Sequence, residues 1–310
     1  SLGSSTIRPL HHAPRLNVLE QTFTDTVGTW RTAFALPPAD LAGQVAAFWE
    51  SGGPVQVGHI KLIPRGTVDL IVNLGARQSM YHDASATDRT LFERAWVSGL
   101  FDKPLYVGPD LRGRPVTTHL AGVSILPEAA LTVLGVPGNE LVNRVFDADD
   151  LFGSNVLTCR EIMAGAPTAT ERLGLLAQLV RQLMARLARP VPAAIRWAAE
   201  QLQRSSGAER IGSLSRRLGV SRRHLNRQFQ TATGLSPKAF GRLIRFRAVA
   251  DCLDGSAVEL SELSYRFGFS DQAHFSREFK AFSGISPAEY LRNVSADGEA
   301  ILFDGAGTST

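Results

Sequence analysis

One short stretch of the chain presents side chains that can hydrogen-bond to nucleic-acid bases. Arg223, Asn226, Arg227 and Gln230 follow one another at helical spacing, and Arg222 stands beside them. At about 100° per residue, these positions lie on the outer face of a helix. Guanidinium and amide groups match the edges of guanine and adenine in the major groove. The stretch is a candidate for base recognition, although any surface helix is also expected to have a polar outer face.

A second stretch later in the chain carries a related but less polar set. Its candidates, at the start and on the outer face of another predicted helix, are Gln272, Ala273, His274, Arg277 and Lys280. Ala273 cannot hydrogen-bond a base, so its contact would be apolar, for example with a thymine methyl group. The second stretch is therefore expected to tune recognition and the first to anchor it.

The two stretches belong to a repeated unit. "GVSRRHLNRQFQTATGLSP" and "GFSDQAHFSREFKAFSGISP" share their glycines, serines, His, Arg, Phe and final Ser-Pro in the same order, once one residue is inserted. Agreement at one nearly fixed offset is typical of a duplicated structural element.

The unit has the pattern of a helix, a tight turn and a second helix. Leu214 lies on the apolar face of the first helix, and Gly219 can supply the left-handed residue that ends it. Ser221 has the chemistry of an N-cap, and Leu225 and Phe229 form an inward pair on the second helix. Such a helix-turn-helix can insert its second helix into a major groove.

A longer predicted helix, "SPKAFGRLIRFRAVADCL", connects the two units. Its outward Lys238, Arg242 and Arg245 are candidates for phosphate contacts. A connecting helix fixes the distance between units, so that two recognition helices could enter groove segments about 34 Å apart.

Positive charge is concentrated around the first unit. Residues 196–247 hold 12 Lys and Arg and only two acids, Glu200 and Glu209, whereas residues 1–189 are balanced. This excess suits a polyanion such as DNA, and a solvated surface face is the alternative.

The first half of the chain has the pattern of short strands. Turn signals such as "SGGP", "NLGA" and "LRGRP" punctuate segments rich in Val, Ile and Thr, from about Ala33 to Val123. "HIKLIPRGTVDLIVNLGA" reads as two strands around a Pro-Arg-Gly turn. Short helical turns are predicted from Pro127, and the prolines of "ARPVPAAI" mark a linker before the helical half.

These patterns predict an α+β protein of two domains. Residues 1–32 are expected to be an N-terminal extension, 33–188 a β-rich sensor or dimerisation domain with helices, and 189–194 a linker. Residues 195–293 are expected to form an all-α domain with two helix-turn-helix units, followed by an acidic flexible tail, 294–310. The opening "SLGSS" lacks methionine and is expected to be a processed end.

A predicted helix from Thr170 to Leu187 carries an apolar stripe. Its members alternate steps of three and four residues, as in a seam between two helices: Leu173, Leu176, Val180, Leu183 and Leu187. The stripe could join two chains into a homodimer or pack on its own domain.

Candidates for catalysis or metal binding are scattered. His59, His82 and His119 fall in the strand-rich half without the clustered spacing of a metal site. Cys159 and Cys252 have no second ligand nearby and are expected to be free thiols. With no phosphate-loop pattern or nucleophile elbow either, we expect no catalytic residue, metal or cofactor.

A pocket for a small molecule in the β-rich half is a more plausible alternative than catalysis. Aromatic residues could form its wall, and ordinary core packing is the competing interpretation: Trp49, Phe92, Trp96, Phe101 and Tyr106. The sequence identifies no effector-binding residue. No run of eighteen apolar residues occurs, so we expect a cytoplasmic protein without a membrane partner.

The helical half resembles a known family. Residues 193–293, and "GFSDQAHFSREFKAFSGISPAEYLR" above all, look like the C-terminal DNA-binding domain of the AraC/XylS family of bacterial transcription regulators. The resemblance implies seven helices with two helix-turn-helix units. It places base contacts on Arg223, Asn226 and Arg227 and on Ala273, His274 and Arg277.

Residues 33–188 are similar, less specifically, to an N-terminal domain of the same family, through the stretch Pro64–Gly75 and the turn Gly122–Pro127. That family often uses a cupin-like β-barrel there. The resemblance implies a sequence-specific regulator that binds double-stranded DNA and RNA polymerase, controlled by a small-molecule effector or by dimerisation. The alternative is a ligand-binding or enzymatic N-terminal domain, with the helical half as a recruitment module.

Overall fold

The computed structural model describes residues 16–25, 28–55, 59–81, 89–111, 116–187, 189–253, 259–296, 298 and 300–302. The expectations for His82, for residues 1–15 and for residues 303–310 lie outside this range. The strands, in chain order, are β1 (Val18–Asp25), β2 (Gly28–Ala35), β3 (Val45–Val55), β4 (Ile60–Leu62), β5 (Val68–Asn73), β6 (Gln78–Tyr81), β7 (Arg89–Phe92), β8 (Ala95–Ser98), β9 (Leu105–Pro109), β10 (Val116–Ile125), β11 (Val145–Asp147) and β12 (Ala300–Ile301).

The described strands form two antiparallel sheets that face each other. The larger has the order β1-β2-β3-β10-β5-β8-β11, and the smaller has the order β12-β4-β9-β6-β7. Side chains of both sheets line one cavity. Among them, Phe92 of the smaller sheet and Trp96 of the larger sheet have their ring centres 5.4 Å apart. Two facing sheets are also the architecture of double-sheet jelly rolls, the class to which cupins belong. The described strands therefore agree with the β-rich domain that the resemblance implied.

The hairpin β1–β2 differs from the expected N-terminal extension. It spans much of residues 16–32 and pairs onto β3 at the edge of the larger sheet. Its outward side chains are largely polar, and even Leu19 is exposed. Because most of its side chains are exposed or half-buried, the hairpin lacks the clear apolar alternation by which strands are recognised.

The C-terminal segment also differs from the flexible tail that the sequence suggested. After the helical half, β12 pairs with β4 of the smaller sheet, Ala300 opposite Leu62. The two strands expected on either side of the Pro-Arg-Gly turn are present as β4 and β5, and they lie in different sheets. Partner choice of this kind depends on distant segments, which local patterns do not encode.

Helices cover the larger sheet and form the second half. The N-terminal set is a 3₁₀ turn (Pro127–Ala129), α1 (Ala130–Leu134), α2 (Gly138–Leu141), α3 (Ala148–Phe152), α4 (Ser154–Gly165) and α5 (Ala169–Leu187). The C-terminal set is α6 (Ala193–Arg204), α7 (Ile211–Arg217), α8 (Arg222–Thr233), α9 (Pro237–Ala250), α10 (Leu260–Arg266), α11 (Gln272–Ser283) and α12 (Pro287–Asn293). The predicted α+β class, with a β-rich first half and a helical second half, is confirmed.

The apolar stripe of α5 packs within the chain. Leu173, Leu176, Val180 and Leu183 are at most 4% exposed, and α5 lies against β3 and β10. Of the two interpretations of the stripe, packing within its own domain is therefore the correct one. The stripe is buried and cannot form a dimer interface.

No helix in the described part of the chain combines the length and apolar composition needed to cross a bilayer.

Candidate nucleic-acid interface

The first repeated unit is a helix-turn-helix formed by α7 and α8. Gly219, with a φ of 67°, turns the chain between the helices. The Ser221 hydroxyl accepts a hydrogen bond of 3.2 Å from the backbone N–H of His224, which caps α8 as predicted. Leu225 and Phe229 are fully buried, and Phe229 packs against Phe240 of α9 at 5.4 Å. These contacts fix which face of α8 points outward.

That outward face carries all five first-unit candidates. Each of these side chains is exposed on α8: Arg222, Arg223, Asn226, Arg227 and Gln230. Among the described residues none of the five forms a salt bridge, so their donors remain available to a ligand. The cluster is basic, directed to solvent and attached to a buried apolar stripe, which is the arrangement that groove recognition requires.

The second unit repeats the geometry with a different cap. Asp271, the residue inserted relative to the first unit, accepts a 2.6 Å hydrogen bond from the backbone N–H of His274 at the start of α11. This bond, supported by the Ser270 hydroxyl, lowers the pKa of the Asp271 carboxyl. Ser270, which aligns with the capping Ser221, bonds Asp271 and the His274 ring instead.

The second-unit candidates divide into two groups. Gln272, Ala273, Arg277 and Lys280 are exposed on α11. His274 is half-buried, with its Nδ1 3.1 Å from the Ser270 hydroxyl and its ring edge-on to Phe269. The structure thus gives His274 contacts that fasten the turn to the helix, and its contact with a base stays a prediction.

The predicted phosphate contacts on α9 are not equivalent. Lys238 is exposed. Arg242 forms two bonds of 2.7 and 2.8 Å with the Glu278 carboxylate of α11. Arg245 is half-buried, donates to the Gly207 carbonyl at 3.1 Å and lies over the Phe269 ring. Two of the three predicted phosphate contacts, Arg242 and Arg245, thus also join α9 to its neighbours, and the contact of all three with phosphates stays a prediction.

The N-terminal domain docks against the end of α8. Gly138 of α2 approaches Ala232 so closely that a Cβ on Gly138 would overlap the Ala232 carbonyl. Gly234, with a φ of 88°, ends α8 and lies against Val142 and Gly138. Two facing glycines thus permit backbone contact between the domains. Asn139, which sequence reasoning missed, then lies beside Arg223 and Arg227 in one surface groove.

The space between the two sheets is a second candidate site. It has a volume of about 140 Å³, and four of the five proposed aromatic residues line it: Trp49, Phe92, Trp96 and Phe101. Tyr106 is outside the lining and instead lies under the ammonium group of Lys61. The buried Asp69 carboxylate accepts hydrogen bonds from Trp49, Thr67 and Ser124, so its oxygens are already engaged.

The two described histidines of the strand-rich half, His59 and His119, make separate contacts. His59 packs against Tyr81 at 5.3 Å, and His119 lies 3.0 Å from the Glu50 carboxylate. No group of three His, Cys, Asp or Glu suited to a metal occurs in the described range. Cys159 is buried and Cys252 half-buried, and neither is in a disulfide. Burial raises the pKa of Cys159 to about 12, so it stays a thiol.

Comparison with known proteins gives two family matches. "Helix-turn-helix domain" matches residues 214–293, and "Domain of unknown function (DUF6597)" matches residues 34–147. The probable transcription factor PqrA of Proteus vulgaris is 30% identical over 99 residues, which are 32% of this chain and 80% of PqrA.

Two further proteins show how much of the chain such matches cover. The Msm operon regulatory protein of Streptococcus mutans is 29% identical over 85 residues, which are 27% of this chain. The chain spans only 31% of the length of that relative. The structure of a probable AraC family transcriptional regulator from Rhodopseudomonas palustris is similar at 26% identity and a TM-score of 0.30, covering 33% of this chain and 96% of that one.

Proposed function

The chain belongs to the AraC family of transcription regulators, and from this premise we propose that it binds duplex DNA sequence-specifically through α8 and α11. The observation that supports the proposal most is the row of exposed Arg, Asn and Gln side chains on α8, held outward by buried Leu225 and Phe229. These groups hydrogen-bond to base edges, whereas the surrounding positive charge attracts phosphates.

Helix α9 would set the spacing of the two recognition helices. Phe240 packs against Phe229 in the first unit, and Phe246 packs against Phe279 and Phe282 in the second, each at about 5 Å between ring centres. The Arg242–Glu278 pair adds a polar link between α9 and α11. A rigid connection of this kind suits binding to two successive segments of the major groove.

The two units would contribute unequally. The first exposes three arginines and two amides, whereas the second exposes Arg277, Lys280 and Gln272 and uses His274 internally. We therefore assign the main anchoring contacts to α8 and the tuning of sequence preference to α11.

Removing the recognition arginines tests the proposal. Arg227→Ala and Arg277→Ala should each cost about 1–3 kcal/mol of specific binding, about a 5- to 150-fold loss of affinity, with the larger loss for Arg227→Ala. The measurement is gel-shift titration of the full chain against duplexes selected from a random pool, at one fixed salt concentration.

Arg77→Ala provides a matched control, because it removes the same charge from the N-terminal domain, where Arg77 pairs with Glu93. It should bind like the parent. If both recognition variants also bound like the parent, the proposal would fail.

The salt dependence of DNA binding should distinguish the role of Lys238 from that of Arg242. Lys238→Ala should weaken binding to selected and scrambled duplexes alike and reduce the slope of log affinity against log salt by about one. Arg242→Ala should change that slope less, because its guanidinium is already paired with Glu278. Equal changes of slope for the two variants would show that the Arg242–Glu278 pair opens on DNA.

The N-terminal domain would regulate this activity. Its contact with the end of α8 and the pairing of β12 with β4 both link it to the DNA-binding half. On the basis of family membership, we propose that the chain also binds a small-molecule effector, RNA polymerase and a second copy of itself. A dimer contact would have to use a surface other than the buried stripe of α5.

A further inference from the structure

A cavity of about 270 Å³ lies where the N-terminal domain, the linker and α8 meet. Leu131, Val191 and Ile195 give it an apolar wall, and Arg227 and Thr231 of α8 close another side. It is somewhat smaller than the pockets of about 300–1,000 Å³ that usually hold ligands, so its occupant would be small.

Glu128, on the 3₁₀ turn, also lines this cavity and is only 2% exposed. Neither of its carboxylate oxygens makes a hydrogen bond to another residue in the described part of the chain, and the only donor that acts on the carboxyl is the backbone N–H of Glu128 itself. A buried carboxylate without partners is costly, because it loses its hydration and gains nothing in return. No other side chain of the cavity therefore satisfies the Glu128 carboxyl.

The charges around Glu128 do not satisfy it. On α6, Glu200 repels the carboxylate and Arg196 attracts it from a distance, while Arg227 of α8 lines the same cavity. Helix α1, which also contacts the turn, contributes no titratable side chain. Burial raises the pKa of Glu128 to about 7, opposed by a hydrogen bond from its own backbone N–H and reinforced by Glu200, so the carboxyl gains a proton near neutral pH when the cavity is empty.

We propose that this interdomain cavity binds a small organic cation, an amine with a compact apolar body, whose charged group pairs with Glu128. The apolar body would lie against Leu131, Val191 and Ile195, and the ammonium group would supply the hydrogen bonds that Glu128 lacks. A regulatory role for this site rests on the proposed function. Binding of the amine does not, since it can be measured without DNA.

The site would be coupled to DNA through Arg227. This side chain both lines the cavity and belongs to the exposed face of α8. A ligand that changes the position of Arg227 must change DNA affinity, and DNA must change ligand affinity by the same factor. The cavity is thus placed where a small molecule can act directly on the recognition helix.

Calorimetric titration of the full chain with phenethylamine tests the site, and 2-phenylethanol serves as the neutral probe of the same shape. At pH 8, where Glu128 is ionised, we expect saturable binding of the amine and at least tenfold weaker binding of the alcohol. Amine affinity should fall as pH drops below about 7, approaching tenfold per unit, because binding must then displace the proton from Glu128.

Glu128→Gln keeps the size of the side chain and should weaken amine binding at least tenfold and remove its pH dependence. Glu140→Gln is the matched control, because Glu140 is exposed on α2 and does not line the cavity. Leu131→Trp, which fills the cavity, should also abolish binding, and thermal unfolding checks that each variant is folded.

Absence of saturable amine binding by the parent, or equal binding by Glu128→Gln, would overturn the inference. Gel shifts on the same preparations keep the two proposals distinct. DNA binding without amine binding would refute only the cavity site, and amine binding without DNA binding would refute only the proposed function.

Discussion

Arg172→Leu should lower the free energy of unfolding by about 3–5 kcal/mol, because it leaves the carboxylate of Glu50 buried without its main partner. Arg172 of α5 donates bonds of 2.7 and 2.8 Å to Glu50 of β3, and a third of 2.7 Å to the Ala166 carbonyl. His119 of β10 lies 3.0 Å from the same carboxylate. The group fastens α5 to the larger sheet. Urea unfolding followed by circular dichroism measures the loss.

Arg181→Leu is the control on the same helix. Arg181 pairs with Asp40 at 2.6 and 3.1 Å, but the carboxylate of that pair is more than half exposed. An exposed pair contributes about 0–1 kcal/mol, so this variant should unfold close to the parent. Equal losses for the two variants would contradict the role assigned to burial.

The cluster of Glu50, Arg172 and His119 also predicts how the stability loss of Arg172→Leu depends on pH. Burial would raise the pKa of Glu50, but the hydrogen bonds from His119 and Arg172 hold it below its usual range. A lowered folded-state pKa means that the pair stabilises the fold above the ordinary pKa of glutamate and that this stability is lost as pH falls through the lowered value. The deficit of Arg172→Leu should therefore shrink in acid, where Glu50 is neutral in both proteins.

Phe279→Ala should cost about 3–5 kcal/mol of stability in the helical half, through lost burial and the cavity left behind. Phe279 is 2% exposed, and its ring centre lies 5.1 Å from Phe246, 5.2 Å from Tyr290 and 6.0 Å from Phe275. The substitution loosens α11 from both α9 and α12, so contacts made by Arg277 should weaken with it. Thermal unfolding and gel shifts together measure the two effects.

Tyr265→Ala removes an aromatic ring of similar size that is 89% exposed on α10. It should change stability by no more than about 0.5 kcal/mol. A comparable loss for the two variants would mean that the ring cluster around Phe279 contributes little to the second unit.

Local patterns were sufficient to predict the helices that carry the candidate interface. The spacing of Leu225 and Phe229 and the capping chemistry of Ser221 are properties of a few adjacent residues, and the structure has α8 where they indicate it. The orientation of the five α8 side chains follows from the same spacing. Their contact with bases stays a prediction.

The sequence was less informative where two neighbouring residues could each cap a helix, or where a side chain pairs with a residue from a distant segment. Ser270 and Asp271 are both good caps, and only the structure distinguishes the capping Asp271 from its neighbour. Arg242 has the pattern of a free surface residue until Glu278, from another helix, is placed beside it. The unpaired carboxyl of Glu128 arises only when two domains meet, so no local pattern could indicate it.

Strand β12 attaches the end of the helical half to the N-terminal domain, so this half is held at both of its ends. Because the segment between the linker and β12 leaves the N-terminal domain and then rejoins its smaller sheet at Lys61 and Leu62, the two recognition helices lie on a loop fastened at both ends. A segment closed in this way has fewer orientations to lose on binding than one tethered at a single end. The β4–β12 pairing thus gives the N-terminal domain a second connection to the helical half besides the linker, and Leu62 of β4 also lines the space between the sheets.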